Sequence, residues 1–191
     1  MSKLEVDAIE PQSGTTLTLG ASGDTIALAS GATLGAGMGK ILQVVQATTG
    51  TEVAVTGTTF TDTTLTASIT PISTSNKILV LFNQSYYLNK AGASYAFGGV
   101  RLLRDTTSIW NPNPEDASGS YGLGVQIVGQ AGTYGNPGFV NYNYLDSPST
   151  TSATTYKTQI RAYTATGIAT AQRAAGTNNG ASSIILMEVS G

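Results

Sequence analysis

The chain has 191 residues, only 10% of them charged, and nine basic against eleven acidic side chains give a net charge of −2. It contains no His and no Cys, which removes the commonest general base and metal ligand, together with disulfide frameworks and thiolate metal sites. No basic cluster is present, so binding to nucleic acid by phosphate neutralisation is not expected.

Gly, Ser, Thr and Asn stand where charges usually would, a composition that suits strands and turns. A helical protein would want Glu, Lys and Arg on its exposed faces. No apolar run approaches the roughly 20 residues needed to cross a bilayer. The opening "MSKLEVDAIEP" carries Glu5 and Asp7 where a secretion signal has its apolar core. A product made in the cytoplasm, without membrane insertion, is the expectation.

Residues 1–12 come first. Leu4, Val6 and Ala8 alternate with Glu5 and Asp7, the pattern of a short strand. Such a segment is too short to fold alone: it is either disordered or pairs with something else.

Residues 13–39 form a repeat. Ser-Gly recurs at Ser13-Gly14, Ser22-Gly23 and Ser30-Gly31, and each copy continues into Thr and an apolar residue, at Thr16-Leu17, Thr25-Ile26 and Thr33-Leu34. Apolar positions alternate within each copy, giving one short strand and one narrow stripe. A stack of three copies cannot bury that stripe by itself. Several chains around an axis could, with Leu17, Leu19, Ile26, Leu28 and Leu34 in the shared interior. A flexible linker of Gly, Ser and Thr would not need Leu or Ile at fixed offsets from Gly. The closing "GAGMGK" is not a phosphate loop, because Leu34 and Ile41 stand where that motif needs Gly and Ser or Thr. It reads as a hinge or close backbone approach between stalk and head.

Residues 40–191 are the length of one ordinary domain. Strand candidates follow one another: "ILQVVQATT" from Ile41, "TFTDTTLTASITP" from Thr59, "KILVLFNQSYYL" from Lys77, "YAFGGVRLL" from Tyr95 and "SIW" from Ser108. Then come "GLGVQIVGQ" from Gly122, "FVNYNYL" from Phe139, "TTYKTQIRAYTA" from Thr154 and "SIILMEV" from Ser183. Turn-rich separators divide them, and Pro71, Pro112, Pro114, Pro137 and Pro148 are all expected there. The fold class is therefore all-β: a short N-terminal β-repeat stalk followed by an antiparallel β-sandwich head, jelly-roll-like. The last strand is nearly continuous in apolar character, which suits a central position. Glu188 within it is the exception, with pairing to Arg101 or Arg161, solvent, or a subunit interface as its open alternatives.

Catalytic chemistry has little to work with. Glu115, Asp116, Asp105 and Asp146 are the carboxylates a glycan-cleaving pair would draw on, and a solvated turn accounts for the adjacent Glu115 and Asp116. Asn111, Asn113, Glu115 and Asp116 offer oxygens to Ca²⁺ without a recognised loop pattern. No enzyme activity, metal or cofactor is expected. Tyrosine joins rigid apolar area to a hydroxyl, which suits binding surfaces. Trp110, Tyr121, Tyr134, Tyr142 and Tyr144 make the candidate ligand surface, with Tyr142 and Tyr144 on one face of a strand. A packed core or subunit interface is the competing use of these rings.

Three segments carry a resemblance: "SKLEVDAIEPQSGTTLTLGASGDTIALASGATL" at the start, "GKILQVVQA" with "TTFTDTTLTASITPISTSNKILVL" after it, and "SSIILMEV" at the end. Together they resemble fibre-like virion structural proteins of tailed bacteriophages, especially marine phages and cyanophages. The residues between about 87 and 179 carry no such likeness. The resemblance implies a homotrimer on the virion surface, with Leu4, Val6 and Ala8 in a segment docking onto capsid or tail proteins. A distal head would meet a host surface glycan or protein. Three copies make a very short stalk, which favours a short spike over a long tail fibre. A capsid decoration or cement protein that stabilises the shell is the alternative.

Overall fold

The computed structural model describes residues 9, 13–14, 21–25, 41–89, 95–96, 98–111, 127–128, 135–162, 166–175 and 178–191. Contacts divide the chain into two units, Met1–Met38 and Gly39–Gly191, and among the described residues the strands fall in the second. Among the described residues there are strands and turns and no helix, and so none long and apolar enough to cross a membrane.

The strands are β1 (Ile41–Thr49), β2 (Val53–Thr56), β3 (Thr61–Ile69), β4 (Lys77–Asn89), β5 (Tyr95–Ala96), β6 (Gly98–Arg104) and β7 (Thr107–Trp110). They continue with β8 (Ile127–Val128), β9 (Gly135–Asp146), β10 (Thr154–Ala162), β11 (Ile168–Ala171), β12 (Arg173–Ala175), β13 (Asn178–Asn179) and β14 (Ser182–Val189). All pairings in the two main sheets are antiparallel.

The thirteen-residue β4 organises the first sheet. β9 pairs with it from Ile78 to Asn89. Its other edge is shared: β14 covers Lys77 to Asn83 and β11 covers Tyr86 to Asn89. β1 flanks β14 and β2 flanks β11. The first sheet is therefore four rows wide, in the order β1/β2, β14/β11, β4, β9. The second sheet runs β3, β10, β6, β7.

Alternation fixes which side chains meet between the sheets. β4 sends Ile78, Val80, Phe82, Tyr86 and Leu88 inward, and β14 sends Ile184 and Leu186. Leu65, Leu102, Tyr156 and Ile160 answer from the second sheet, all 1% exposed or less. Each large apolar side chain buried in this way stabilises the sandwich by about 1.5–3 kcal/mol. Gly57, with φ +88°, turns the chain from the first sheet to the second. Its N–H donates to Gly167 O and its carbonyl accepts from Ala162 N–H.

A buried polar network crosses the core beside the break between β11 and β14. Thr158 Oγ1 donates to Gln84 Oε1 at 2.7 Å and lies 2.7 Å from Thr63 Oγ1. Gln84 Nε2 donates to Ser182 Oγ at 3.1 Å, and the Ser85 N–H donates to the same oxygen at 2.9 Å. At Gln172, where φ is +57°, the N–H returns a bond to Ser85 O at 3.0 Å. Side chains and one left-handed residue thus supply what the missing row residues would have given β4.

Two expectations need correcting. Pro137 lies inside β9, opposite Tyr87, rather than in a separator. β9 is an edge strand, where a residue without an N–H costs no ladder bond if that position faces outward. Glu188 pairs with neither Arg and faces neither solvent nor another subunit; its partners are given below.

Candidate functional site

Trp110 ends β7, at the edge of the second sheet, and Tyr142 lies on β9, at the edge of the first. Their rings stack with centroids 4.0 Å apart and planes 25° from parallel. Phe82 presents an edge to Trp110 at 5.8 Å and lies 6.5 Å from Tyr142. The three rings close the sandwich along this side, each contact worth about 0.5–1.5 kcal/mol beyond its buried area. Tyr144 follows Tyr142 on the same inward face, and Trp110, Tyr142 and Tyr144 are all partly buried against the core. Tyr121 and Tyr134 lie outside the described residues. So do Leu4, Val6 and Ala8 of the docking segment, and Leu17, Leu19, Ile26, Leu28 and Leu34 of the repeat.

Asp146, the last residue of β9, is 5% exposed. Arg104 Nη1 donates to both its oxygens, at 3.0 and 2.9 Å, and Tyr156 Oη donates to Oδ2 at 2.7 Å. This clamp ties the end of the first sheet to β6 and β10 of the second. Burial, then the bonded Asp146 carboxylate, pushes the Tyr156 phenol far above its ordinary value of 10.0. Asp105 shapes the β6–β7 turn with φ +53° and accepts the Thr155 N–H at 2.9 Å. Asn113, Glu115 and Asp116 lie outside the described residues. Among the described residues, no three His, Cys, Asp or Glu side chains group as metal ligands would.

Glu188 is fully buried. Gln43 Nε2 donates to its Oε2, while Asn76 Nδ2 at 2.6 Å and the Ile72 N–H at 2.8 Å donate to Oε1. Burial pushes this carboxyl upward, but hydrogen bonds from Gln43, Asn76 and the backbone at Ile72 and Ser73 outweigh it. The group sits below its ordinary 4.5. It fastens the β3–β4 loop to β1 and β14, and alternation along "SIILMEV" is the signal that turns it inward.

The outward face of the second sheet is charged and internally paired. Lys157 Nζ donates to Asp62 Oδ2 and Gln159 Nε2 to Asp62 Oδ1, both at 2.6 Å. Arg101 Nε donates to Gln159 Oε1 at 2.7 Å. Partial burial raises the Asp62 pKa, but the Lys157 and Gln159 bonds more than offset this and hold it below its ordinary value. Arg101 and Arg161 lie over the Phe60 ring at 4.2 and 4.4 Å, beside a groove of about 380 Å³ that Thr58 and Thr59 also line. The alternation of Lys157, Gln159 and Arg161 along β10 is the sequence signal for this face.

The outward face of the first sheet is different in kind. Val44, Met187, Leu79 and Leu145 stand in register across all four rows. Val44 is 56% and Leu145 52% exposed. The next line carries Ile185 and Leu81, and the line after it Ser183, Asn83 and Asn141. A shallow groove of about 360 Å³ runs here, also lined by Asn143. The Asn83 Oδ1 atom is buried in the chain without a hydrogen-bond partner.

No family model matches the chain, and no curated protein matches it either. Among solved structures it is similar to a chain in the structure of infectious bursal disease virus, Gx strain, at 11% identity and a TM-score of 0.31. That likeness covers 78% of this chain and 37% of the other, so the chain spans little more than a third of its neighbour's length. It is too slight to argue from.

Proposed function

We propose that the chain is a virion structural protein, a short homotrimeric spike. Residues 1–12 dock onto capsid or tail proteins, residues 13–39 form the stalk, and the sandwich is the head that meets a host surface glycan or protein. The observation that carries this reading is the row order. Numbered along the chain, the eight rows run 1-8-3-6 in one sheet and 2-7-4-5 in the other. This is the order of a jelly roll, two Greek keys folded together, an architecture of capsid and lectin domains. A fold alone does not decide function. Further support comes from the phage-like segments at both ends and from the internal bracing at Asp146 and Glu188, which suits a rigid body presented on a particle. Three heads per spike, and many spikes per particle, turn weak contacts into firm attachment.

The test is electron microscopy of purified particles with gold-labelled antibody raised against the sandwich. Label at discrete projections is the expected result. Label spread evenly over the shell would replace the spike with a decoration protein, and unlabelled particles would overturn the virion role.

A further inference from the structure

We infer that copies of this chain meet through the outward face of the β1–β14–β4–β9 sheet, so that the head carries a subunit interface of its own. This rests on the reading of the chain as a homotrimer, and it places contact between copies in the sandwich rather than in the repeat alone.

Four observations converge. The first is apolar continuity. The line Val44–Met187–Leu79–Leu145 crosses the whole sheet, and Ile185 and Leu81 widen it. Isolated exposed apolar residues are ordinary, but a contiguous band of them marks a contact surface.

The second is charge. Lys77 is the only charged residue among those that alternation turns outward on these four strands, and it sits at the end of β4. Two copies can therefore approach without bringing like charges together, and depletion of charge is the compositional mark of an interface core.

The third is self-complementarity. An amide both donates and accepts, so Asn83, Asn141 and Asn143 can pair with the same groups on another copy.

The fourth is size. Four rows about 4.8 Å apart, with about 3.3 Å per residue over the eight residues of β14, give the open part of this face roughly 500 Å² in plane. That is the larger part of the ~800 Å² one partner contributes to a stable complex. The far end is already covered: Ser85 Oγ donates to Arg173 O at 3.3 Å, and the Arg173 guanidinium lies over the Tyr87 ring.

The experiment uses the full chain, whose lack of Cys makes a single introduced thiol a clean probe. Val44→Cys and Leu145→Cys report on the face, and Thr106→Cys, exposed in the β6–β7 turn, is the reference. Light scattering gives the mass of each variant and maleimide labelling gives access to the thiol. A trimer with at least tenfold slower labelling at 44 and 145 than at 106 is expected. A trimer that labels equally fast at all three positions overturns the interface and leaves the trimer standing. A monomer overturns the trimer itself, whatever its labelling rate.

A Val44→Lys/Leu145→Lys variant separates other copies from the chain's own N-terminal residues as the cover. Both side chains are more than half exposed within one chain, so folding is spared while like charges meet across the interface. The trimer should then dissociate at a concentration at least tenfold higher. Slow labelling with unchanged dissociation would assign the cover to the N-terminal residues and overturn the inference.

Discussion

The two outward faces of the sandwich meet their surroundings differently. On the β3–β10–β6–β7 sheet, Lys157, Asp62, Gln159 and Arg101 form one hydrogen-bonded chain, and Phe60 lies under two guanidinium groups. That surface is finished by its own side chains. On the β1–β14–β4–β9 sheet, Val44 and Leu145 stand in the open and Asn83 Oδ1 has no donor. Strand alternation dictates which residues point outward on both sheets. What they point at is decided by whether their chemistry is complete within one chain.

The largest effect expected is from Asp146→Ala, which breaks the clamp holding the two faces back to back. Loss of the Arg104 pair and the Tyr156 bond should cost about 3 kcal/mol. Urea unfolding followed by the single tryptophan, Trp110, measures it, and a loss under about 1 kcal/mol would show that the clamp is not what joins the sheets. Gly138→Ala comes next. A Cβ at Gly138 would lie 2.2 Å from the Tyr86 hydroxyl and 2.5 Å from its ring carbon. Forcing that ring aside should cost roughly 1–3 kcal/mol and lower the thermal midpoint.

Glu188 sharpens the comparison through pH, because it anchors the rim from which the bare face rises. Its folded pKa is depressed, so its contribution is fully present above the ordinary 4.5 and is lost as pH falls through the folded value. Glu188→Gln should cost about 1–2 kcal/mol at neutral pH and flatten the acid limb of a stability-against-pH curve. An unchanged acid limb would assign that sensitivity to other carboxylates. The smallest effect belongs to the finished face. Asp62 is 49% and Lys157 24% exposed at the side chain, so Asp62→Asn should cost under about 1 kcal/mol, and less in high salt. A loss that persists in molar salt would mean that the hydrogen bond from Gln159, rather than the charge pair, carries the interaction.

Much of the frame is legible in the sequence. "ILQVVQATT" is β1 from end to end, and "KILVLFNQSYYL" falls one residue short of β4. Long alternation between turn signals leaves little choice there. β2, β11, β12 and β13 escape because they are two to four residues long, too short for alternation to register; β2 and β11 are strands because β4 is long enough to pair a second segment on one edge. β9 begins at Gly135, four residues ahead of "FVNYNYL", because an edge strand tolerates Gly and Pro137 where a central strand would not. The candidate site is less legible. Tyr142 and Tyr144 share a face as their spacing requires, but sequence cannot say that Trp110 comes from the other sheet to stack on one of them. Nor does a buried Glu in an apolar strand reveal that its donors come from an amide, a glutamine and a loop.

The break in the second row of the first sheet has a consequence for how such a chain can change. Gln172 and Ser182 close the gap on either side, bonding to Ser85 and to each other, with Gln172 Nε2 donating to Ser182 Oγ at 3.3 Å. The nine residues between them leave the row and return without altering the register of β11 or β14. Both ends of that excursion are pinned to the frame: Arg173 O accepts from Ser85 Oγ, and the Gly180 N–H donates to Gln172 O at 2.8 Å. Exchange of length or chemistry is therefore expected only between these anchors, and variation along a lineage would gather between 174 and 179 and spare Arg173 and Gly180.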